Sequence, residues 1–330
     1  MNRKCVAALI LTVLVATGSA RAETVRIARQ FGISYLPLIL MQDGRLLEQE
    51  ARARGLDLTA EWLTFTGGPP INDALISGNI DLAAGGVGPM LTLWGRTRTN
   101  LKVKALAALG NMPVWLMSNR PEVSSIADLT GRDRIALPGV KVSIQAVILQ
   151  MAARQAFGRG EEYRLDPLTV TMGHPDGQAA LMSGNSEITA HFTSAPFMYE
   201  EQASPRIHRV LNSYDVLGGP HTFNLVWSSS RYYEANPKVV AAFLAALERA
   251  MALIRDKPLE AAGVWVRVEK TRLSPEQAAD MVRRPENEWT TTPARIMQFA
   301  RFMAETGALP NPPQDWREVF FPSAQGLDGS

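Results

Sequence analysis

Histidine is the side chain best suited to proton transfer and metal ligation near neutral pH, and this chain has four: His174, His191, His208 and His221. No two of them stand two or four residues apart, the intervals that place a pair of imidazoles on one face of a strand or helix, so no metal site is expected. The one cysteine is Cys5, close to the N-terminus, and a thiol nucleophile or thiolate site would depend on it alone. The sequence holds no Gly-x-Ser-x-Gly elbow, no paired-histidine zinc helix, and no glycine-rich loop of Walker or dinucleotide type. An enzyme is therefore not expected, and neither is a cofactor.

What the sequence does offer is a set of polar and glycine-rich turns suited to holding a small molecule. Thr66-Gly67-Gly68 combines a hydroxyl with unobstructed backbone N–H groups, and Gly85-Gly86-Val87-Gly88 permits close backbone approach. Phe31 and Tyr35, in the turn after the first apolar run, can supply an apolar wall and a hydroxyl. Lys141 and Ser143, just before a helical stretch, can form an anion seat. His191, Phe192 and Thr193 are expected to follow a strand in the second half of the chain. Asn111 and His221 stand where the chain is expected to pass between lobes.

An internal repeat orders these turns. Residues 74–84 and 180–190 agree at six of eleven positions, at an offset of 106, and the same offset pairs Gly67 with Gly173 and Pro69 with Pro175. Each copy reads as a strand, a glycine turn, a helix opened by proline, a glycine stop at Gly78 or Gly184, and a second strand. The expected strands are 58–65 and 80–84 in one copy, 170–172 and 188–190 in the other, with Gly85 to Gly88 forming a loop. Units of this kind build mostly parallel sheets flanked by helices, and ligands of such sheets sit beyond the carboxyl ends of the strands. Two apolar segments, 111–118 and 223–229, share Val-Trp and are expected to be strands carrying the chain between two lobes. The lobes would then be 23–111 plus 223–330, and 112–222. Apolar positions Val240, Phe243, Leu244, Leu247, Met251 and Ile254 predict a helix over 237–255, with further helices over 258–268, 274–283 and 293–305.

The N-terminus supplies an expected address. Arg3 and Lys4 precede the apolar stretch 6–16, and Ala20-Arg21-Ala22 fits cleavage after Ala22, the pattern of an export signal. Removing residues 1–22 takes away three basic residues and no acidic one, leaving 31 basic and 32 acidic groups and no cysteine. The formal charge of +2 on the whole chain therefore gives no reason to expect a nucleic-acid partner.

Three motifs then resemble a known family. They are Tyr35-Leu-Pro-Leu followed by Asp43-Gly-Arg-Leu-Leu, residues 74–81 with the glycines that follow, and Asp128-Leu-Thr-Gly-Arg ahead of a strand over 134–137. The chain resembles the periplasmic binding components of nitrate-, sulfonate- and taurine-type ABC importers, which are related to thiamine-pyrimidine binding proteins. The resemblance implies an α/β, two-lobed periplasmic-binding-protein fold of type II with a ligand cleft between the lobes. It implies a periplasmic monomer that closes like a hinge on a small anionic or aromatic solute and meets an ABC permease and its ATPase at the membrane. A sensory binding protein is the alternative, and an enzyme of thiamine-pyrimidine type on the same fold is a more distant one.

Overall fold

A computed structural model describes residues 23–330; the expected export signal lies outside them. Ten strands form two five-stranded sheets. They are β1 (Glu23–Arg29), β2 (Leu58–Thr64), β3 (Leu82–Gly86), β4 (Lys104–Asn111), β5 (Trp115–Ser118), β6 (Ile135–Leu137), β7 (Thr169–Thr171), β8 (Ala190–Thr193), β9 (His208–Asn212) and β10 (Thr222–Ser228). Sheet one runs in the order β2-β1-β3-β10-β4, and sheet two in the order β7-β6-β8-β5-β9. In sheet one β2, β1 and β3 pair parallel and β10 lies antiparallel to both β3 and β4. Sheet two repeats the plan, with β7, β6 and β8 parallel and β5 antiparallel to β8 and β9. The repeat read in the sequence is thus one supersecondary design used twice.

Helices follow from local chemistry. The first lobe carries α1 (Leu36–Asp43), α2 (Leu46–Ala53), α3 (Gly68–Ile76) and α4 (Val87–Arg96). Proline stands in the first turn of α1 and α3, where its fixed φ suits a helix and no donor is needed. The second carries α5 (Ile144–Phe157), α6 (His174–Ser183), α7 (Phe197–Gln202) and α8 (Ser213–Leu217). Gly184, at φ 69°, ends α6 in the left-handed conformation that favours glycine. After β10 the chain forms α9 (Ser230–Ala235), α10 (Pro237–Asp256), α11 (Pro258–Glu269), α12 (Pro275–Val282) and α13 (Ile296–Glu305), close to the ranges expected from periodicity. α10 buries Val240, Phe243, Leu247, Met251 and Ile254 as one face, against α1, α2 and α11. α5 is buried almost all round because α4 and α13 of the other half cover the face that its own sheet leaves bare.

Two expectations about element ends are corrected. Gly85 and Gly86 are the last residues of β3, and Val87 and Gly88 open α4, so this segment is not a loop. His191 likewise lies inside β8 and not in a turn after it. In both places the strand outlasts its apolar run because a partner from beyond a crossing extends the ladder: Gly86 pairs with Asn224 of β10, and His191 with Met117 of β5.

The segments 111–118 and 223–229 do hold strands, β5 and β10, but the chain passes between the sheets in short joints ahead of them. Residues 112–114 link β4 to β5, and 213–221 link β9 to β10 through α8. They are fastened side by side. Val114 N–H donates to Ser213 Oγ at 2.9 Å, and Ser213 N–H donates to the Val114 carbonyl at 3.0 Å. His221, fully buried, takes the Ser213 hydroxyl on Nε2 at 2.8 Å and donates from Nδ1 to the Thr222 carbonyl at 3.0 Å. Both ring nitrogens are satisfied with the imidazole neutral, and burial lowers its pKa to about 4.

That lowered pKa has a sign. Between the ordinary histidine value near 6.5 and about 4, the unfolded chain binds a proton that folded His221 refuses, so stability is present above 6.5 and lost as pH falls. The slope from this residue is at most about 1.4 kcal/mol per pH unit. Urea unfolding at pH 7, 6, 5 and 4 should show His221→Gln less stable at pH 7, with its gap to the parent narrowing as pH falls.

Candidate functional site

The two sheets face each other with the carboxyl ends of their parallel strands. From the first half, Gln30 and Phe31 follow β1, Tyr35 precedes α1, Gly68 opens α3, Gly86 ends β3, and Phe223 and Asn224 lie in β10. From the second half, Pro138 follows β6, Ser143, Ile144 and Gln145 open α5, and His174 opens α6. With Pro89 of α4 these residues enclose one cavity of about 20 Å³. That is room for about one water molecule.

The closeness of the two halves comes from backbone meeting backbone. A methyl group at Gly67 would stand 2.2 Å from the Pro138 carbonyl oxygen, and one at Gly88 would stand 2.7 Å from that of Val142. Ile33 N–H donates to the Ala195 carbonyl at 3.1 Å across the same gap.

The polarity of the cavity arises without any formal charge on its wall. None of its lining residues is Lys, Arg, Asp or Glu. Instead the N-terminal ends of α3, α4, α5 and α6 border it, each a source of partial positive charge. Behind the wall, buried Arg29 is paired with Glu269 at 2.7 Å. Tyr35 O–H donates to Asn224 Oδ1 at 3.3 Å, and Asn224 Nδ2 donates to Ser34 Oγ at 2.9 Å. Burial pushes the Tyr35 hydroxyl far above its ordinary pKa, so it remains a donor. On the opposite wall His174 Nε2 lies 3.3 Å from the Gln145 side-chain amide, and His174 Nδ1 lies 3.0 Å from His191 Nε2. Desolvation lowers the pKa of His174 well below the usual value and that of His191 to about 3.

A family described as NMT1/THI5 like matches residues 54–261, well over half of the chain. The chain belongs to that family. None of the curated proteins matches it in sequence. Among solved structures, it is similar to the alkanesulfonate-binding protein SsuA of Xanthomonas axonopodis pv. citri bound to MOPS, with 21% identity, 89% of this chain and 96% of that chain covered, and a TM-score of 0.69. It is similar to the aliphatic sulphonate-binding SsuA of Escherichia coli at 21% identity, with 94% and 95% covered and a TM-score of 0.66. The nitrate-binding NrtA of Synechocystis PCC 6803 is similar at 14% identity, with 90% and 85% covered and a TM-score of 0.69. At these identities the likeness is one of fold, and the fold is that of the periplasmic binding proteins.

Placed on this family fold, the residues singled out in the sequence fall into three groups. Phe31, Tyr35, Gly86 and Ser143 line the cavity, and Gly67 forms the contact beside it. His191 and Thr193 stand one layer behind, both on His174 Nδ1, with Phe192 and Val87 buried in the core. The remainder lie elsewhere. Asn111 closes the crossing, with Glu288 at 2.8 Å and Thr222 at 3.1 Å, and His221 clamps it. Exposed Thr66 packs beside Gly173. Lys141, exposed at φ 66°, lines a separate outer groove with Arg96, Asp166 and Met303. Among the described residues no group of three His, Cys, Asp or Glu is arranged to hold a metal ion.

Gln30, Gln145, His174, Phe223 and Asn224 also line the cavity, and the sequence does not mark them as site residues. One signal for His174 was available. It is the repeat equivalent of Gly68, each directly preceding the repeated proline, and both residues line the cavity.

Gly67 has φ −170°, extended backbone open to any residue, so an added methyl group is refused only by Pro138 across the gap. Gly67→Ala should leave secondary structure intact while raising the cost of closure by about 1–3 kcal/mol. Small-angle scattering should read a larger radius of gyration for the variant. A solute bound by both halves should lose about 5- to 150-fold in affinity.

Proposed function

We propose that the chain is the extracytoplasmic solute-binding component of an ABC importer, acting in the periplasm. It captures a small anionic or aromatic organic solute, of the sulfonate, taurine or nitrate class, between lobes formed by 23–111 plus 223–330 and by 112–222. The observation that carries this reading is the convergence of four helix N-termini, drawn from both halves, on one cavity that has no charged side chain on its wall. Such a cavity receives an anion by oriented dipoles and neutral donors, while Phe31, Tyr35 and Phe223 provide apolar surface for an organic body. The names of the similar structures, two sulfonate-binding proteins and a nitrate-binding one, point to the same solute class.

A sulfonate-sized group needs more than the present cavity, so the halves must part to admit it and then settle around it. Contacts to both halves exist only when they approach, and the solute therefore shifts the population toward closure. The closed form would be the one that meets the permease and its ATPase. Among the described residues no helix is long and apolar enough to cross a membrane, which fits a protein that delivers a solute to a separate permease.

The test is a thermal-stability screen of protein that has been unfolded and refolded to strip carried solute. The panel holds taurine, alkanesulfonates, nitrate, aromatic carboxylates, aromatic sulfonates and thiamine pyrimidine. A bound member at a hundred times its dissociation constant should stabilise the fold by about 2.7 kcal/mol and be recovered chemically unchanged. Native refolded protein that responds to no member of the panel overturns the solute class, and conversion of a bound member to product overturns the transport role.

A further inference from the structure

Behind the cleft wall three ionisable side chains are joined in a row. His174, at the cavity, places Nδ1 3.0 Å from His191 Nε2, and His191 places Nδ1 2.6 Å from Glu201 Oε1. His191 and Glu201 are fully buried and His174 nearly so. The row is made possible by Gly177 on α6, where any side chain would meet the His191 ring at 2.7 Å. The far carboxyl oxygen, Glu201 Oε2, is buried and has no hydrogen-bond partner. A carboxylate with one oxygen stranded in this way would be costly, whereas a neutral carboxyl is not. Burial acts in the same direction on all three groups, raising Glu201 well above the usual carboxylate value and lowering both histidines.

We propose that His174, His191 and Glu201 form a buried proton relay that sets the hydrogen-bonding polarity of the cleft, and that its proton-loaded form supplies the N–H donor required by an anionic oxygen of the captured solute. In the loaded form Glu201 O–H donates to His191 Nδ1, His191 Nε2–H donates to His174 Nδ1, and His174 Nε2–H points to the cavity. Removing one proton from His174 Nε2 reverses the row. The His191 Nε2 proton passes to His174 Nδ1, the Glu201 proton passes to His191 Nδ1, and Glu201 is left a carboxylate. His174 Nε2 is then an acceptor facing the Gln145 amide, which can present either its nitrogen or its oxygen by turning over. Thr193 Oγ1, 3.2 Å from His174 Nδ1, accompanies either arrangement. The relay thus holds one proton more when it donates to the cleft, and no formal positive charge appears on the wall.

Other charged groups on the packed elements do not substitute for this row. Glu200, next to Glu201 on α7, raises the Glu201 pKa further and itself accepts from Gln178. Arg209 on β9 lies over the Trp115 ring at 4.6 Å, and His208 donates to the Val123 carbonyl at 2.7 Å. Arg154 on α5 is taken by Glu162 and Glu305. Asp176, on the first turn of α6, is the one acid of that helix.

The proposal rests on the solute-capture reading for its ligand but not for its relay, and the two are tested apart. Nitrogen-15 NMR of histidine-labelled full-length protein, without solute, should show both rings neutral with Nε2–H at pH 6 to 7. On raising the pH both rings should change to Nδ1–H at one shared midpoint, and Glu201→Gln should abolish that step. Rings that titrate separately, or that protonate near 6.5 as exposed histidines do, overturn the relay. With methanesulfonate as the probe, parent affinity should fall tenfold per pH unit above the shared midpoint. Glu201→Gln, whose amide N–H replaces the carboxyl O–H on His191, should bind with no such slope. A slope unchanged in Glu201→Gln overturns the link between relay and cleft. An intact NMR step with no methanesulfonate binding at any pH overturns the proposed solute contact and leaves the relay as a property of the fold.

Discussion

Everything at the cleft depends on two backbones being able to touch across it. Gly67 against the carbonyl of Pro138, Gly88 against that of Val142, and the Ile33–Ala195 hydrogen bond bring peptide groups of the two halves into direct contact. Side chains at those positions would interpose flexible, space-filling atoms and hold the helix ends away from the cavity. Because peptide groups do the touching, the approach is stiff and its geometry is set by the sheets. The glycines at the strand ends and the prolines in the first helical turns serve that one requirement. They let the chain leave a strand, start a helix at once, and present bare N–H groups at the seam.

The second consequence is electrostatic. A wall with no ionised side chain sounds ill suited to an anion, yet it avoids setting a fixed cation into a small, dry space. Arg29 is close, but its charge is paired with Glu269 at 2.7 Å behind the wall. What remains is a ring of helix ends, three carboxamides, a tyrosine hydroxyl and an imidazole, all neutral groups whose influence is magnified when water is excluded. Each is placed by an element whose position within its own half the sheet already determines, so capture moves the halves and leaves the donors of each half in place.

Much of this was legible in the sequence. The repeat at 74–84 and 180–190 announced one supersecondary unit used twice, and it directed attention to the strand ends where the cavity lies. The helical periodicity after Pro237 placed α10 to within a residue. What was not legible required partners from far along the chain. Gly85, Gly86 and His191 read as turns because nothing nearby reveals that β10 and β5 extend their ladders. His221 and Asn111 carried the polar character of a binding site but are spent on joining the crossings, through Ser213 and Glu288. Lys141 had the right charge and a place beside the right helix, yet its left-handed backbone turns it to the outer surface. Asn224 lies within the apolar segment 223–229, and only the approach of Tyr35 and Ser34, far away in sequence, gives its side chain partners.

The strand order also dictates a sequence of events in time. Every strand of sheet two comes from one uninterrupted stretch, 115–212, so that sheet can be completed as soon as the stretch is available. Sheet one cannot, because β10 sits between β3 and β4 and is the last of all ten strands to appear. Until residues 222–228 arrive, a chain made from its N-terminus holds two raw strand edges facing an empty slot, the situation in which foreign strands add most readily. The inserted half therefore has the opportunity to fold while the enclosing half still waits for its central strand, and its completion delivers that strand by holding the two crossings together.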